Sequence, residues 1–159
     1  MKSKRLFWTI ITAASLAAAA VSVFLLWPRQ RGLVLSDENT GHVFARYELE
    51  DGESFAITFR HSVNKSNVTE IYERRGDEIY QTGCVYYGFG AGVAEVLDEG
   101  WELSYGENGE MILSNINMKI DHMVYIVGTI YDHIMTWRGE EIVLNELCGK
   151  NAQVYFSIG

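Results

Sequence analysis

The sequence predicts an all-β domain, an antiparallel sandwich or partly open barrel, preceded by one N-terminal transmembrane helix. Three observations carry that reading. Leu6 to Trp27 is an uncharged apolar run of 22 residues. After it come short stretches in which apolar and polar residues alternate, the period of a strand with one face buried. Those stretches are separated by turn signals at short, regular intervals, and no amphipathic helical stretch interrupts them.

Leu6 to Trp27 would be about 33 Å long as a helix, enough to cross a hydrocarbon core of about 30 Å. Trp8 and Trp27 lie near its ends, where amphipathic rings favour the headgroup region. Lys2, Lys4 and Arg5 precede it, and Arg29 and Arg31 follow it. The small excess of basic charge places residues 1–5 in the cytoplasm as a tail and 6–27 in the cell membrane as a signal anchor. Ala18-Ala19-Ala20 offers a cleavage site, so a signal peptide is the rival reading. The apolar run exceeds the usual h-region of about 7–15 residues, which favours the anchor. Either way residues 33–159 are expected outside the cytoplasm, behind a linker at 28–32.

The chain has 159 residues and a net charge of −8. Taking Lys2, Lys4 and Arg5 from the 13 basic residues leaves 10 against 21 acidic, or −11 for the remainder. No basic footprint for nucleic acid is present. About 130 residues beyond the anchor are enough for one domain with its own core.

In order, Leu33 to Leu35 and His42 to Leu49 read as strands joined by the turn-rich Ser36 to Gly41. Glu50 to Glu53 is a charged Asp-Gly turn. Gly52 to Tyr72 is the central hairpin. Phe55, Ile57, Phe59 and His61 share one face of its first strand, and Val68, Glu70 and Tyr72 one face of its second. The connecting loop would bring His61, Ser62 and Glu70 together. Glu78 to Tyr87 is a tyrosine-rich strand. Tyr87 to Gly92 (YGFGAG) spaces Gly88, Gly90 and Gly92 for either a ligand-facing amide loop or a sheet corner. It lacks the G-x-G-x-x-G spacing of a dinucleotide site, so no cofactor is expected.

Val93 to Gly109 reads as an acidic loop without calcium-loop spacing. Met111 to Ile116 is a strand, Met118 to Val127 one long strand, and Ile130 to Trp137 a strand carrying Asp132-His133. Arg138-Gly139 turns into a strand over Glu140 to Leu147, and Ala152 to Ile158 is the last. Cys84 and Cys148 are a candidate disulfide pair outside the cytoplasm, or simply buried thiols.

FRHSVNKSNVTEIY, YGFGAGV and VGTIYDHIMTWRGEEIVLNELCGKNAQVYFSI together resemble the bacterial family known as domain of unknown function 1850. The chain departs from the family pattern at Asn67, where proline often precedes the valine. The resemblance implies a small extracytoplasmic or membrane-anchored protein whose gene often lies beside those of TAXI-type TRAP transporters. It implies no established activity. The matching polar positions are His61, Ser62, Glu70, Asp132 and His133. They are either a buried polar cluster in which each partner is satisfied or a recognition site. His61, Glu70 and His133 would also suit a divalent metal. Ser62, His133 and Asp132 lack the nucleophile elbow of a hydrolase, and no catalytic motif stands elsewhere. The leading expectation is therefore a binding module accessory to a TRAP permease or its solute-binding protein. The alternative is a metal-binding protein or metal-dependent enzyme.

Overall fold

The structure, a computed structural model, describes residues 31–63, 65–87 and 97–159. The expected tail at 1–5, membrane helix at 6–27 and most of the 28–32 linker lie outside those residues, as do Gly88, Gly90 and Gly92. Among the described residues no helix is long and apolar enough to cross a membrane.

Among the described residues twelve strands form two antiparallel sheets. The smaller has the order β2-β1-β12-β9, built from β1 (Gly32–Asp37), β2 (Val43–Glu48), β9 (Met123–Ile126) and β12 (Gln153–Ile158). The larger runs β11-β10-β3-β4-β5-β7-β6. Its centre is the predicted hairpin of β3 (Ser54–Arg60) and β4 (Asn67–Arg75), followed by β5 (Glu78–Tyr86). The hairpin β6 (Glu102–Tyr105) and β7 (Met111–Ser114) extends one side. The hairpin β10 (Ile134–Trp137) and β11 (Glu140–Val143) extends the other, and β8 (Met118–Ile120) pairs with the start of β5.

The sheets face each other across one core, as the alternation in the sequence requires. Leu33, Leu35, Val154 and Phe156 come from the smaller sheet; Phe55, Ile57, Tyr72 and Met135 come from the larger. Phe55 stacks on Phe156 at 6.2 Å and on Tyr72 at 5.5 Å, so aromatic contacts bridge the layers. A second apolar cluster of Val68, Tyr86, Leu113 and Ile116 lies on the larger sheet, away from this core.

Four expectations need correction. Met118 to Val127 is not one strand: Asp121 and His122 bend it, so β8 joins the larger sheet and β9 the smaller. Lys119 pairs with Glu78 at 2.6 Å, while His122 stacks on Tyr155 and meets Glu38 at 2.9 Å, which fixes the two halves to different partners. Glu140 to Leu147 begins as β11 but ends in a short helix, α1 (Leu144–Cys148). Leu144, Leu147 and Cys148 recur at helical spacing and all pack on the core, so one helical turn buries three side chains that a strand would split between faces. The acidic stretch before Gly109 contains β6, which pairs with β7 from Glu102↔Ser114 to Tyr105↔Met111. Finally, β10 starts at Ile134, leaving Asp132 and His133 in the loop before it.

Candidate functional site

Strand register gathers the site. Opposite one another on β3, β4 and β5 lie Phe59, Val68 and Tyr86; in the next row lie Glu70, Cys84 and, on β7, Leu113. A β-bulge shifts the β4–β5 register between Ile71 and Tyr72, bringing Gln81 to the same side. These side chains, with Trp101 and Ile116, line a partly open cavity of about 190 Å3. His61, two residues beyond Phe59, completes the wall.

Glu70 is the centre of its polar side. Tyr125 on β9 donates its hydroxyl to Glu70 Oε2, and the Tyr72 hydroxyl lies 3.1 Å from the same oxygen. The two phenols are 2.7 Å apart. A carboxylate on the larger sheet thus holds a tyrosine from the smaller one. Burial, then the neighbouring Glu70 charge, holds the Tyr72 phenol well above its ordinary range. Burial raises Tyr125 too, reinforced by Tyr72 and Glu70. Both phenols stay neutral and can donate.

Burial pushes the Cys84 thiol up to about 12, with the Glu70 charge adding to it. Such a thiol is not a ready nucleophile. Cys148, raised by burial to about 11, belongs to the main core instead. Both cysteines are free, so the candidate disulfide is not formed. The physical reason is placement: Cys84 lines the cavity and Cys148 ends α1 on the other cluster.

The predicted site residues separate into groups. His61 and Glu70 both line the cavity, as the hairpin required. His61 is fixed by backbone bonds, its amide to Ser66 O at 2.8 Å and its carbonyl from Lys65 at 3.0 Å. Its Nδ1 accepts the Val63 amide at 3.3 Å. Ser62 is exposed and takes no part in the cavity. Asp132 is also exposed and accepts a hydrogen bond from Asn145 Nδ2. His133 is half-buried, stacked on Phe59 at 5.4 Å with the Tyr125 ring edge 6.0 Å away. Its Nδ1 accepts the Gly128 amide at 3.1 Å, and burial lowers its pKa despite the Asp132 charge. That bond leaves Nδ1 unable to donate to Asp132, so the Ser62–His133–Asp132 relay is not assembled.

The three residues of the metal set are not gathered either. Tyr125 comes between its members, its hydroxyl on Glu70 and its ring on His133. Among the described residues no three His, Cys, Asp or Glu are placed to hold a metal ion. Sequence reasoning missed Tyr125, Tyr86, Gln81 and Trp101. Tyr72 shared the predicted face with Glu70 and was within reach; the others depend on sheet pairing and on a bulge, which leave no local signal.

The model of a family described as Domain of unknown function (DUF1850) matches residues 55–144, more than half of the chain. The chain belongs to that family. No curated protein and no solved structure matches it. The DUF1850 match contains every residue of the cavity wall as well as Tyr72, Tyr125, Asp132 and His133. It leaves out β1, β2 and β12, which supply most of the smaller sheet. The DUF1850 span is therefore the larger sheet with its cavity and the β9 strand that carries Tyr125.

Proposed function

We propose that this DUF1850 chain is an extracytoplasmic binding module, tethered to the cell membrane by residues 6–27, that serves a TAXI-type TRAP transporter. The observation that carries the binding reading is the cavity beside Glu70: mostly apolar walls with a few convergent polar groups are the usual make-up of a ligand pocket. The tether is supported by the uncharged 22-residue run and its flanking tryptophans and basic residues. The transporter association is supported by the gene neighbourhood that the family resemblance implies, an argument from context.

The test is crosslinking in native membranes with a tagged full-length chain, followed by mass spectrometry of what is captured. Recovery of a TRAP permease or its solute-binding protein is the expected result. Repeated capture of neither, with the chain present in the membrane fraction, would refute the accessory role.

A further inference from the structure

The cavity has a distinctive chemistry. Phe59, Tyr86 and Trp101 supply aromatic walls, and Glu70 supplies a carboxylate. Among the described residues neither lysine nor arginine lines it. Both phenols that reach Glu70 meet Oε2, so Oε1 has no protein partner among the described residues. The Tyr86 hydroxyl is the second unsatisfied group. Tyr86 is only 2% exposed, and its hydroxyl, shut off from solvent, has no hydrogen-bond partner among the described residues. Buried polar groups are normally paired, and leaving one unpaired is costly, so an orphaned hydroxyl on a cavity wall marks a place for an incoming partner. An apolar cavity of about 150 Å3 holds a benzene-sized molecule, so this one accepts a compact group somewhat larger.

We infer that the cavity binds a small organic ammonium ion carrying a hydroxyl or carbonyl oxygen, an inference that rests on the binding reading above. The cation would sit among the aromatic faces and against Glu70, where quadrupole and carboxylate attract the same charge. The ligand oxygen would pair with the Tyr86 hydroxyl once a small shift of the ring turns that group toward the cavity. An anion would meet the Glu70 carboxylate with neither lysine nor arginine beside it among the described residues, and a neutral hydrocarbon would leave both Glu70 Oε1 and Tyr86 unsatisfied.

The test uses the full-length chain in a non-ionic detergent and three isosteric probes: choline, 3,3-dimethyl-1-butanol and 3,3-dimethylbutyrate. Binding is read by calorimetry. Choline is expected to bind at least about tenfold more tightly than the neutral alcohol, and the carboxylate not to bind. Glu70→Gln keeps an acceptor for Tyr72 and Tyr125 and should bring choline down to the level of the alcohol. Trp101→Leu should weaken choline more than the alcohol, with an unchanged near-ultraviolet spectrum as the check on folding. Equal affinity for choline and the alcohol would overturn the ammonium assignment while leaving a binding pocket. No binding of any probe would overturn it too, and the crosslinking result would then decide the accessory role by itself.

Discussion

Glu70 is a carboxylate in a row of otherwise weakly polar neighbours, with Ile57 on one side and Cys84 on the other. Tyr72 and Tyr125 make that placement tolerable. Glu70→Leu leaves two largely buried hydroxyls competing for one another, and should cost about 1–3 kcal/mol in urea unfolding. Tyr125→Phe removes a donor and keeps the ring, so about 1 kcal/mol is expected. A Glu70→Leu chain as stable as the parent would mean the phenols do not depend on the carboxylate. His133 supplies a pH dependence. Its folded-state pKa lies below the ordinary value of 6.5, so the folded state binds fewer protons than the unfolded one as pH falls. The stability it contributes is complete above about pH 6.5 and declines as pH falls below that value toward the depressed one. His133→Phe should keep the stack on Phe59 and flatten this part of the stability profile between pH 7 and pH 5. An unchanged slope would assign the loss to other groups. The thiols give a third expectation. With pKa values near 12 and 11, Cys84 and Cys148 should resist alkylation at pH 8 in the native chain, and unreduced protein should show two free thiols once unfolded. A mass lighter by two hydrogen atoms would demonstrate a bridge.

At the scale of elements, the loop from Val127 to His133 sets where His133 stands. A Cβ on Gly128 would run into the carbonyl oxygen of Tyr131, a backbone atom that cannot swing aside. Gly128→Ala should therefore cost about 1–3 kcal/mol and disturb the amide that His133 accepts. Stability matching the parent would mean the loop has a second conformation available. Most strands were legible because one buried face leaves a period of two: Phe55, Ile57 and Phe59, or Val68, Glu70 and Tyr72, name their own side of the sheet. Glu70 was legible as an inward residue for that reason, and His61 as its neighbour through the hairpin. The break at Asp121-His122 was not, because the alternation of β8 continues in β9 while the pairing partners change from β5 to β12. Tyr125 was hidden by the same break. The helix at Leu144 was hidden by length, since five residues show barely more than one turn.

For the whole molecule, the order of strands gives the domain two poles. At one, Gly32 starts β1, and the β4–β5 turn is tied to the chain entrance by Arg74 bonding Arg31 O at 2.8 Å. At the other lie the loops before β4 and β10, where the Arg60 guanidinium covers the Tyr131 ring at 4.7 Å and Ile130 is 83% exposed. The sheets are joined in the middle by the Phe55–Phe156 stack and the Tyr125–Glu70 contact. The two chain ends of the domain close on each other: Gly32 N donates to Gly159 O and Gly159 N to Gly32 O, each at 3.0 Å. A version of residues 31–159 joined across that gap by a short glycine linker and reopened at the Asn108-Gly109 turn should fold, since pairing elsewhere is untouched. Its melting temperature should fall by no more than a few degrees. The same closure makes the point of attachment interchangeable. A lipid, a resin or a reporter fused after Gly159 would hang from the pole where the chain enters, and leave the Arg60–Tyr131 pole clear for whatever approaches.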